Sequence, residues 1–215
     1  MNEPTGSGED EGGSAACLLH ELGPDGTPVD PKQARDVAIW RKAERERLLA
    51  LRMAMPPDIR SRYTEAIALQ LDQLIPAREG QIVSVYWPIR GEPDLRPWMR
   101  TVCARGLRVA LPVALALGQP LKFREWQPDA PMVRGLWKIP YPAEGAEVVP
   151  TTVLAPVVGF DSASYRLGYG GGFFDRTLAG MVSKPLVIGL GYPEQRIGTI
   201  FPQAHDIPMD RIVTG

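Results

Sequence analysis

The sequence has 215 residues, 44% of them hydrophobic and 23% charged, a balance typical of a globular domain with a sizeable core. It contains no window of roughly 18 unbroken apolar residues and no basic stretch followed by an apolar one at its start, which argues against a membrane partner and a secretory signal. Two cysteines, Cys17 and Cys103, are too few for a disulfide framework, so we expect a cytoplasmic protein.

Charge is divided unevenly along the chain. Residues 1–30 hold seven of the 25 acidic residues and none of the 24 basic ones, and they are rich in Gly and Pro. We expect this segment to be a flexible tail and residues 31–215 to form a single domain. The remainder carries a surplus of six positive charges (24 − 18), which fits a small anionic ligand but is too small and scattered to argue for nucleic acid.

Two amphipathic helices are predicted after the acidic segment. The first begins near Pro31 and carries part of an apolar stripe among many charges, until Pro56 and Pro57 interrupt it. The second begins near Asp58 and has apolar residues at helical spacing along one face. The two stripes consist of Val37, Trp40, Leu48, Leu51 and Met55, and of Ile59, Tyr63, Ile67, Leu71 and Leu74.

Beyond residue 80 the pattern changes to short, apolar, β-branched runs that alternate with helical segments. Helices are predicted around 95–106 and 171–182. Strands are predicted at 81–87, 107–113, 121–126, 151–160 and 185–192. Strand, helix and strand in this repeated order indicate an α/β fold with a mostly parallel sheet flanked by helices.

The run YRLGYGGGFFDR at 165–176 follows a predicted strand and opens a predicted helix. Ligands of open α/β sheets bind beyond the carboxyl ends of the strands, where glycines allow positive φ and let backbone N–H groups approach an anion. The run has no Walker A lysine, and Phe173 stands where GxGxxG needs a glycine. Phosphate binding and a merely structural turn are both compatible with the glycines alone.

Two charged residues flank the glycines. Arg166 is able to hold a phosphate in bidentate fashion, or to form an ordinary surface salt bridge. Asp175, in the first helical turn, is able to support a magnesium ion, or simply to complement the helix N-terminus.

With its flanks, this run resembles the signature of the 5-formyltetrahydrofolate cyclo-ligases, also called methenyltetrahydrofolate synthetases. Further matches follow in the family's order over residues 35–215: a basic first helix, VYWPIRGEPDL, LWKIPYP, VIGLGYPEQRI and HDIPMDRIV. The resemblance implies a Rossmann-like fold of the kind shared with ribose-phosphate isomerases and CoA transferases. It also implies ATP- and Mg²⁺-dependent conversion of 5-formyltetrahydrofolate to 5,10-methenyltetrahydrofolate, with release of ADP and phosphate.

The resemblance assigns residues to ATP. Two basic residues four positions apart on the first helix reach ATP in the family, and Arg41 and Arg45 match them. The alternative, a solvated basic face, suits Lys42, Arg47 and Arg52 better. The other ATP-binding matches, of which Arg166 is also catalytic, are Arg166, Leu167, Gly168, Tyr169, Gly170, Gly171, Gly172, Phe173 and Phe174.

The resemblance also assigns a metal and a folate site. Asp175 and Asp206 match metal-associated carboxylates. Glu92 matches the folate-binding glutamate, to which we also give a catalytic role, although taken alone it would be an exposed loop acid. Trp137 matches an aromatic position near the folate, although taken alone it would be a core residue, and Phe174 is the third substrate contact.

Phe173 and Phe174 depart from the tyrosines that many family members have at this pair. Phenylalanine keeps a stacking surface but loses the hydroxyl. Two alternatives therefore stay open: a different pterin or formamide substrate, and a folate- or nucleotide-binding paralogue with a regulatory role. The expected partner is 5-formyltetrahydrofolate, with or without a polyglutamate tail, and a monomer is the state that the resemblance implies.

Overall fold

The computed structural model describes residues 30–76 and 78–215. The predicted flexible tail at 1–30 lies outside these residues except for Asp30, and the single domain at 31–215 stays a prediction. Asp30 is the N-cap of the first helix, α1 (Pro31–Ala54), because its side chain accepts a hydrogen bond from Lys32 N at 2.8 Å. Pro31 occupies the first turn, where its missing N–H is no loss. The predicted start of α1 is confirmed.

The second helix, α2 (Pro57–Leu74), begins directly after α1, as the two prolines predict. Ile67 and Leu71 from its predicted stripe are buried. In the part of the chain that the structure describes, no helix combines the length and the apolar character needed to span a membrane.

α1 buries only part of its predicted stripe, since Val37 and Leu48 are buried as predicted but other members are not. Leu51 is 47% exposed, whereas Arg52, expected on a solvated basic face, is only 1% exposed, and Arg41 is also buried. Hydrophobic periodicity fails here because the groups that α1 meets include backbone carbonyls, which arginine satisfies and leucine does not. Lys42 and Arg47 are exposed, as predicted.

The remaining elements alternate between strands and helices. Six strands form one sheet in the order β10-β9-β6-β1-β2-β3, and every neighbouring pair is parallel except β2 with β3. The predicted α/β class with a mostly parallel sheet is confirmed. The elements are β1 (Ile82–Ser84), α3 (Arg96–Ala104), β2 (Arg108–Val113), β3 (Lys122–Trp126), β4 (Met132–Arg134), β5 (Pro140–Pro142), β6 (Thr152–Pro156), β7 (Gly159–Phe160), β8 (Arg166–Leu167), α4 (Phe173–Gly180), β9 (Leu186–Gly191) and β10 (Arg211–Thr214).

The strand predicted at 151–160 is divided in two. β6 stays in the main sheet, whereas β7 pairs antiparallel with β8 in a separate ribbon. The division falls at Val157, whose carbonyl accepts hydrogen bonds from the side chains of Arg52 at 3.1 Å and Gln195 at 3.2 Å. β4, β5 and β10 were not predicted, because each is short and offers little apolar alternation.

Helices cover both faces of the main sheet. Leu71 of α2 and Met99 of α3 join a cluster with Val109 of β2. Ala110, the next residue of β2, points to the opposite face and belongs to a cluster that includes Leu178 of α4.

The order of the strands reverses at β1. The chain proceeds outward from β1 through β2 to β3, then crosses to β6 on the other side of β1 and continues to β9 and β10. Loops that leave the carboxyl ends of β1 and β6 therefore diverge, and open α/β sheets bind their ligands in such a crevice. The Glu92 loop follows β1, and the glycine run follows β6 and its ribbon.

Asp161 connects the β7–β8 turn to the C-terminal region. Its buried carboxylate accepts hydrogen bonds from Ala163 N at 3.0 Å, Tyr165 N at 3.1 Å and Ile200 N at 3.1 Å. This one side chain therefore fixes the backbone that enters the glycine run and the backbone next to Phe201.

Asp161→Ala should lower the free energy of unfolding by about 3 kcal/mol, because three backbone N–H groups lose a charged acceptor. Equilibrium denaturation in urea measures the loss. Asp161→Asn keeps one carbonyl oxygen and should lose less. Glu147→Ala removes an exposed carboxylate that pairs with Lys122 at 2.8 Å, and as the control it should change stability by less than about 0.5 kcal/mol. Equal losses for the two alanine variants would contradict the role of Asp161.

Candidate active site

A cavity of about 650 Å³ lies at the crevice between the β1 and β6 loops. Its walls come from α1, the loop after β1, the β4–β5 connection, the glycine run and residues 205–206. The structure brings together all the residues that the sequence assigned to a ligand, and their roles toward ligands stay predictions. The lining includes Arg41, Arg45, Glu92, Trp137, Arg166, Leu167, Gly168, Tyr169, Gly170, Gly171, Gly172, Phe173, Phe174, Asp175 and Asp206.

The glycine run forms one wall, between β8 and α4. Gly170 has a φ of +95° and Gly172, the N-cap of α4, a φ of +62°, which are values that other residues rarely adopt. Among the described residues, the amides of 169–172 donate to no acceptor. Open amides at the start of a helix form an anion-binding surface.

Arg166 lies beneath the glycine run. It is 8% exposed, its Nη2 donates to Asp175 Oδ2 at 2.8 Å, and its guanidinium carbon is 5.0 Å from the centre of the Phe174 ring. Burial lowers the pKa of Arg166, and the Asp175 carboxylate opposes this shift. A surface salt bridge is therefore the wrong description, because the ion pair is buried. Within the described residues the buried Arg166 Nε has no partner and Asp175 accepts from Nη2, so the guanidinium does not use all of its donors.

Two arginines of α1 face the cavity with different contacts. Arg41 donates to the backbone carbonyls of 200–201 at 2.9 and 2.8 Å and to the Asp206 carboxylate. Arg45 is half-buried, and in the described part of the chain it donates through Nε alone, to Gly168 O at 2.8 Å. Burial and the nearby charge of Arg41 lower the pKa of Arg45. Arg45 keeps N–H groups for a ligand, whereas Arg41 anchors the 200–206 segment to α1.

The carboxylates of Asp175 and Asp206 lie beside these arginines. Burial acts to raise the pKa of Asp206, but hydrogen bonds from Arg41 and from Gln203 N, the latter at 2.6 Å, hold it below its ordinary value. Among residues 30–76 and 78–215, Asp175 Oδ1 accepts only a long hydrogen bond, 3.4 Å, from Ile207 N, which leaves lone pairs unused. The described residues contain no cluster of three acidic, His or Cys side chains, so a magnesium ion here would draw its other ligands from substrate phosphates and water.

Glu92 lies on the opposite wall. It is 6% exposed, its Oε2 accepts from Ile89 N at 2.8 Å, and its Oε1 accepts from the Tyr169 hydroxyl at 2.7 Å. Burial raises the pKa of Glu92, against these hydrogen bonds and the charges of Arg52 and Arg90. The alternative of an exposed loop acid is wrong. A buried carboxylate at a cavity wall is typical of a functional site.

Three buried side chains fix the loop that carries Glu92. Arg52, Tyr192 and Tyr86 donate to backbone carbonyls within 90–93, at 2.9, 3.1 and 3.2 Å respectively. Tyr86 belongs to this loop, whereas Arg52 and Tyr192 come from other parts of the fold, so the position of Glu92 depends on tertiary structure as well as on the loop itself.

Aromatic rings form the outer wall. Trp137 lies between β4 and β5 with a φ of +54°, is 58% exposed, and packs edge-to-face on Phe173 with ring centres 5.3 Å apart. The alternative of a core residue is therefore wrong for Trp137. Its ring offers a stacking surface to a flat ligand.

Comparison with known proteins identifies the family of this chain. The sequence model of the 5-formyltetrahydrofolate cyclo-ligase family matches residues 37–215. The chain belongs to the 5-formyltetrahydrofolate cyclo-ligase family. The resemblance of the sequence to this family is thereby confirmed.

Individual relatives support the family and the fold. The 5-formyltetrahydrofolate cyclo-ligase of Mycolicibacterium smegmatis is 30% identical over 178 residues, 79% of this chain and 91% of the relative. That of Escherichia coli is 29% identical over 171 residues, 76% of this chain and 93% of the relative. The solved 5,10-methenyltetrahydrofolate synthetase of Aquifex aeolicus is 29% identical, with a TM-score of 0.70 over 80% of this chain and 88% of its own. The solved 5,10-methenyltetrahydrofolate synthetase of Mycoplasma pneumoniae is 22% identical and supports the fold alone. Its TM-score is 0.67 over 81% of this chain and 98% of its own.

The cavity of this cyclo-ligase family member also contains residues that the sequence did not single out. Tyr86, Trp87 and Arg90 belong to VYWPIRGEPDL, from which only the glutamate was predicted, and Tyr141 belongs to LWKIPYP. The motifs were themselves the signal, since a short run of mixed aromatic and charged residues after a buried strand points several side chains at one site. Arg52, which lies behind the lining, gave no such signal.

The raised pKa of Glu92 should make the stability of the fold depend on pH. A carboxyl with a higher pKa in the folded state binds more protons when folded, so its contribution is full below its ordinary value of 4.5 and is lost as the pH rises through the folded value. Glu92→Gln removes this titration. The free energy of unfolding of Glu92→Gln minus that of wild type should therefore increase between about pH 4 and pH 7 in urea denaturation.

Glu147→Gln, at an exposed carboxylate that pairs with Lys122, is the control for the effect of the substitution itself. A difference that does not increase with pH for Glu92→Gln would contradict the effect of burial on Glu92.

Proposed function

We propose that this protein closes 5-formyltetrahydrofolate to 5,10-methenyltetrahydrofolate with ATP and Mg²⁺, releasing ADP and phosphate. The observation that carries the proposal is a single cavity with an open glycine run on one wall and a buried carboxylate on the other. Membership of the cyclo-ligase family supports it. A cavity of this kind suits a phosphate donor and a pterin held side by side, and phosphoryl transfer depends mostly on such positioning.

The ATP phosphates are assigned to the glycine run. The open amides of 169–172 and the free N–H groups of Arg45 and Arg166 offer charge-assisted hydrogen bonds to phosphate oxygens. Arg166 is buried and already fixed by Asp175, so it stabilises charge that develops on the transferred group without rearrangement. Arg41 contributes by holding the 200–206 segment in place.

The residues present fit a magnesium ion that arrives with the nucleotide. Asp175 has free lone pairs and would hold the ion together with phosphate oxygens and water. Asp206, whose oxygens accept from Arg41 and a backbone amide, is the weaker candidate. A bound magnesium ion would neutralise phosphate charge in the transition state.

The pterin is assigned to the opposite wall. Glu92 accepts hydrogen bonds from the donor edge of the pterin, its N3–H and 2-amino groups. Trp137 and Phe173 border the same cavity and offer stacking surface to the ring or to the adjoining aromatic portion of the folate.

The reaction then needs two bond-forming steps. The formyl oxygen attacks the γ-phosphorus of ATP and displaces ADP, which converts the formyl oxygen into a good leaving group. N10 attacks the activated formyl carbon and loses its proton, and phosphate departs as the methenyl bridge closes. The protein's task in both steps is positioning and charge stabilisation.

The phenylalanine pair is compatible with this function. Phe173 packs on Trp137, and Phe174 packs against the Arg166 guanidinium while it also lines the cavity. Neither contact needs a hydroxyl, because edge-to-face packing and cation–π attraction use the ring.

Arg45→Met should raise the KM for ATP about tenfold or more, because a hydrogen bond to a charged group is worth about 1.5–3 kcal/mol. The KM for 5-formyltetrahydrofolate should change little. The absorbance of the methenyl product measures both constants. Arg47→Met is the matched control, since Arg47 lies on the same helix, pairs with Glu44 and has a side chain that is 55% exposed. Equal KM values for ATP in the two variants would contradict the role of Arg45.

The same assay on the wild-type protein tests the function itself. Product formed without ATP would contradict the phosphoryl-transfer mechanism. Tight binding of 5-formyltetrahydrofolate without turnover would favour a regulatory folate-binding paralogue, and turnover of another formylated pterin would favour a different substrate.

A further inference from the structure

Tyr169 belongs to the glycine run by sequence, but its side chain reaches the opposite wall of the cavity. Gly168 and Gly170 flank it. Its hydroxyl is 2.7 Å from Glu92 Oε1 and is also hydrogen-bonded to Nη2 of Arg52. The backbone of this residue therefore faces the phosphate half of the cavity, whereas its hydroxyl contacts the folate half.

The chemistry of the partners fixes the direction of both hydrogen bonds. A guanidinium only donates, and an ionised carboxylate only accepts. A tyrosine hydroxyl has a single proton, so the Tyr169 hydroxyl accepts from Arg52 and donates to Glu92. Burial also raises the pKa of Tyr169 above its ordinary value, so the hydroxyl keeps the proton that it donates.

Arg52, which donates to the Tyr169 hydroxyl, is itself held in place. It is 1% exposed, its Nε donates to Arg90 O at 2.9 Å and its Nη1 to Val157 O at 3.1 Å. With Nε and Nη1 bound to backbone carbonyls, Nη2 is directed at Tyr169. The hydrogen bonds from Arg52 to Tyr169 and from Tyr169 to Glu92 thus join α1, the glycine run and the loop after β1.

We infer that Tyr169 is a positioning residue for Glu92 and serves the folate half of the cavity rather than the ATP half, an inference that rests on the proposed function. The Tyr169 hydroxyl holds Glu92 Oε1 while Ile89 N holds Oε2, so the carboxylate plane is fixed at both oxygens. Each oxygen keeps a lone pair, and two donors on one edge of a pterin match that pair of acceptors.

The protonation state of Glu92 reports on this contact. Donation by a hydroxyl favours the ionised carboxylate, which is the form that accepts from a pterin edge. The charged and titratable groups that act on Glu92 or surround it are Arg52, Arg90, Tyr86, Tyr169 and Tyr192.

Tyr169→Phe tests the inference, because it keeps the ring and removes only the hydroxyl. The KM for 5-formyltetrahydrofolate should rise about tenfold while the KM for ATP stays within about twofold. The pH below which 5-formyltetrahydrofolate binding is lost should move upward, since Glu92 loses a donor that favours its ionised form. Steady-state kinetics and direct binding of 5-formyltetrahydrofolate over a pH series measure these effects.

Tyr63→Phe is the matched control. Tyr63 Oη donates to Glu194 Oε1 at 2.8 Å on the exposed surface, so the same substitution removes a similar hydrogen bond away from the cavity. A rise in the KM for ATP alone, or an unmoved pH profile in a Tyr169→Phe enzyme made from an active wild type, would overturn this inference only. A wild-type protein that neither binds nor converts 5-formyltetrahydrofolate would overturn the proposed function as well.

Discussion

A buried guanidinium holds the candidate site together. Among the described residues, Arg52 donates to two backbone carbonyls and one hydroxyl, on three segments that leave the sheet at different points. A buried charge is tolerated only when its donors are satisfied, so α1 packs in its observed position only if these three segments are in place. The segments that shape the cavity are therefore also needed for α1 to pack on the rest of the fold.

Both walls of the cavity contain an ionisable group whose charge is disfavoured by burial. Arg45 and Arg166 are cations that burial disfavours, and Glu92 is an anion that burial disfavours. Each of these groups has donors or lone pairs that the protein leaves unused. Such a group is unfavourable for stability alone, and it is useful only if a ligand completes its hydrogen bonds. An anionic phosphate and the donor edge of a pterin are the two groups that would complete these walls.

The sequence predicted the lining of the cavity better than the residues that support it. The glycine run was predicted from its own residues after a buried strand, and Glu92 was predicted from the resemblance of the motif that contains it. The burial of Arg52 was not predicted, because hydrophobic periodicity treats buried positions as apolar and takes no account of the carbonyl oxygens contributed from positions 90 and 157. The division of the strand at Val157 has the same cause. β10 was missed because four residues at a sheet edge depend on pairing with β9 rather than on their own pattern.

The contact between Arg41 and Asp206 spans 165 residues of chain, and that between Arg45 and Gly168 spans 123. Closing loops of this length is entropically unfavourable until the intervening sheet has formed. The wall formed by α1 and the glycine run is therefore complete only when β6, β7 and β8 have assembled against α1. During synthesis, positions 41 and 45 are made long before their partners, so this wall of the cavity cannot form before the chain has been extended as far as residue 206.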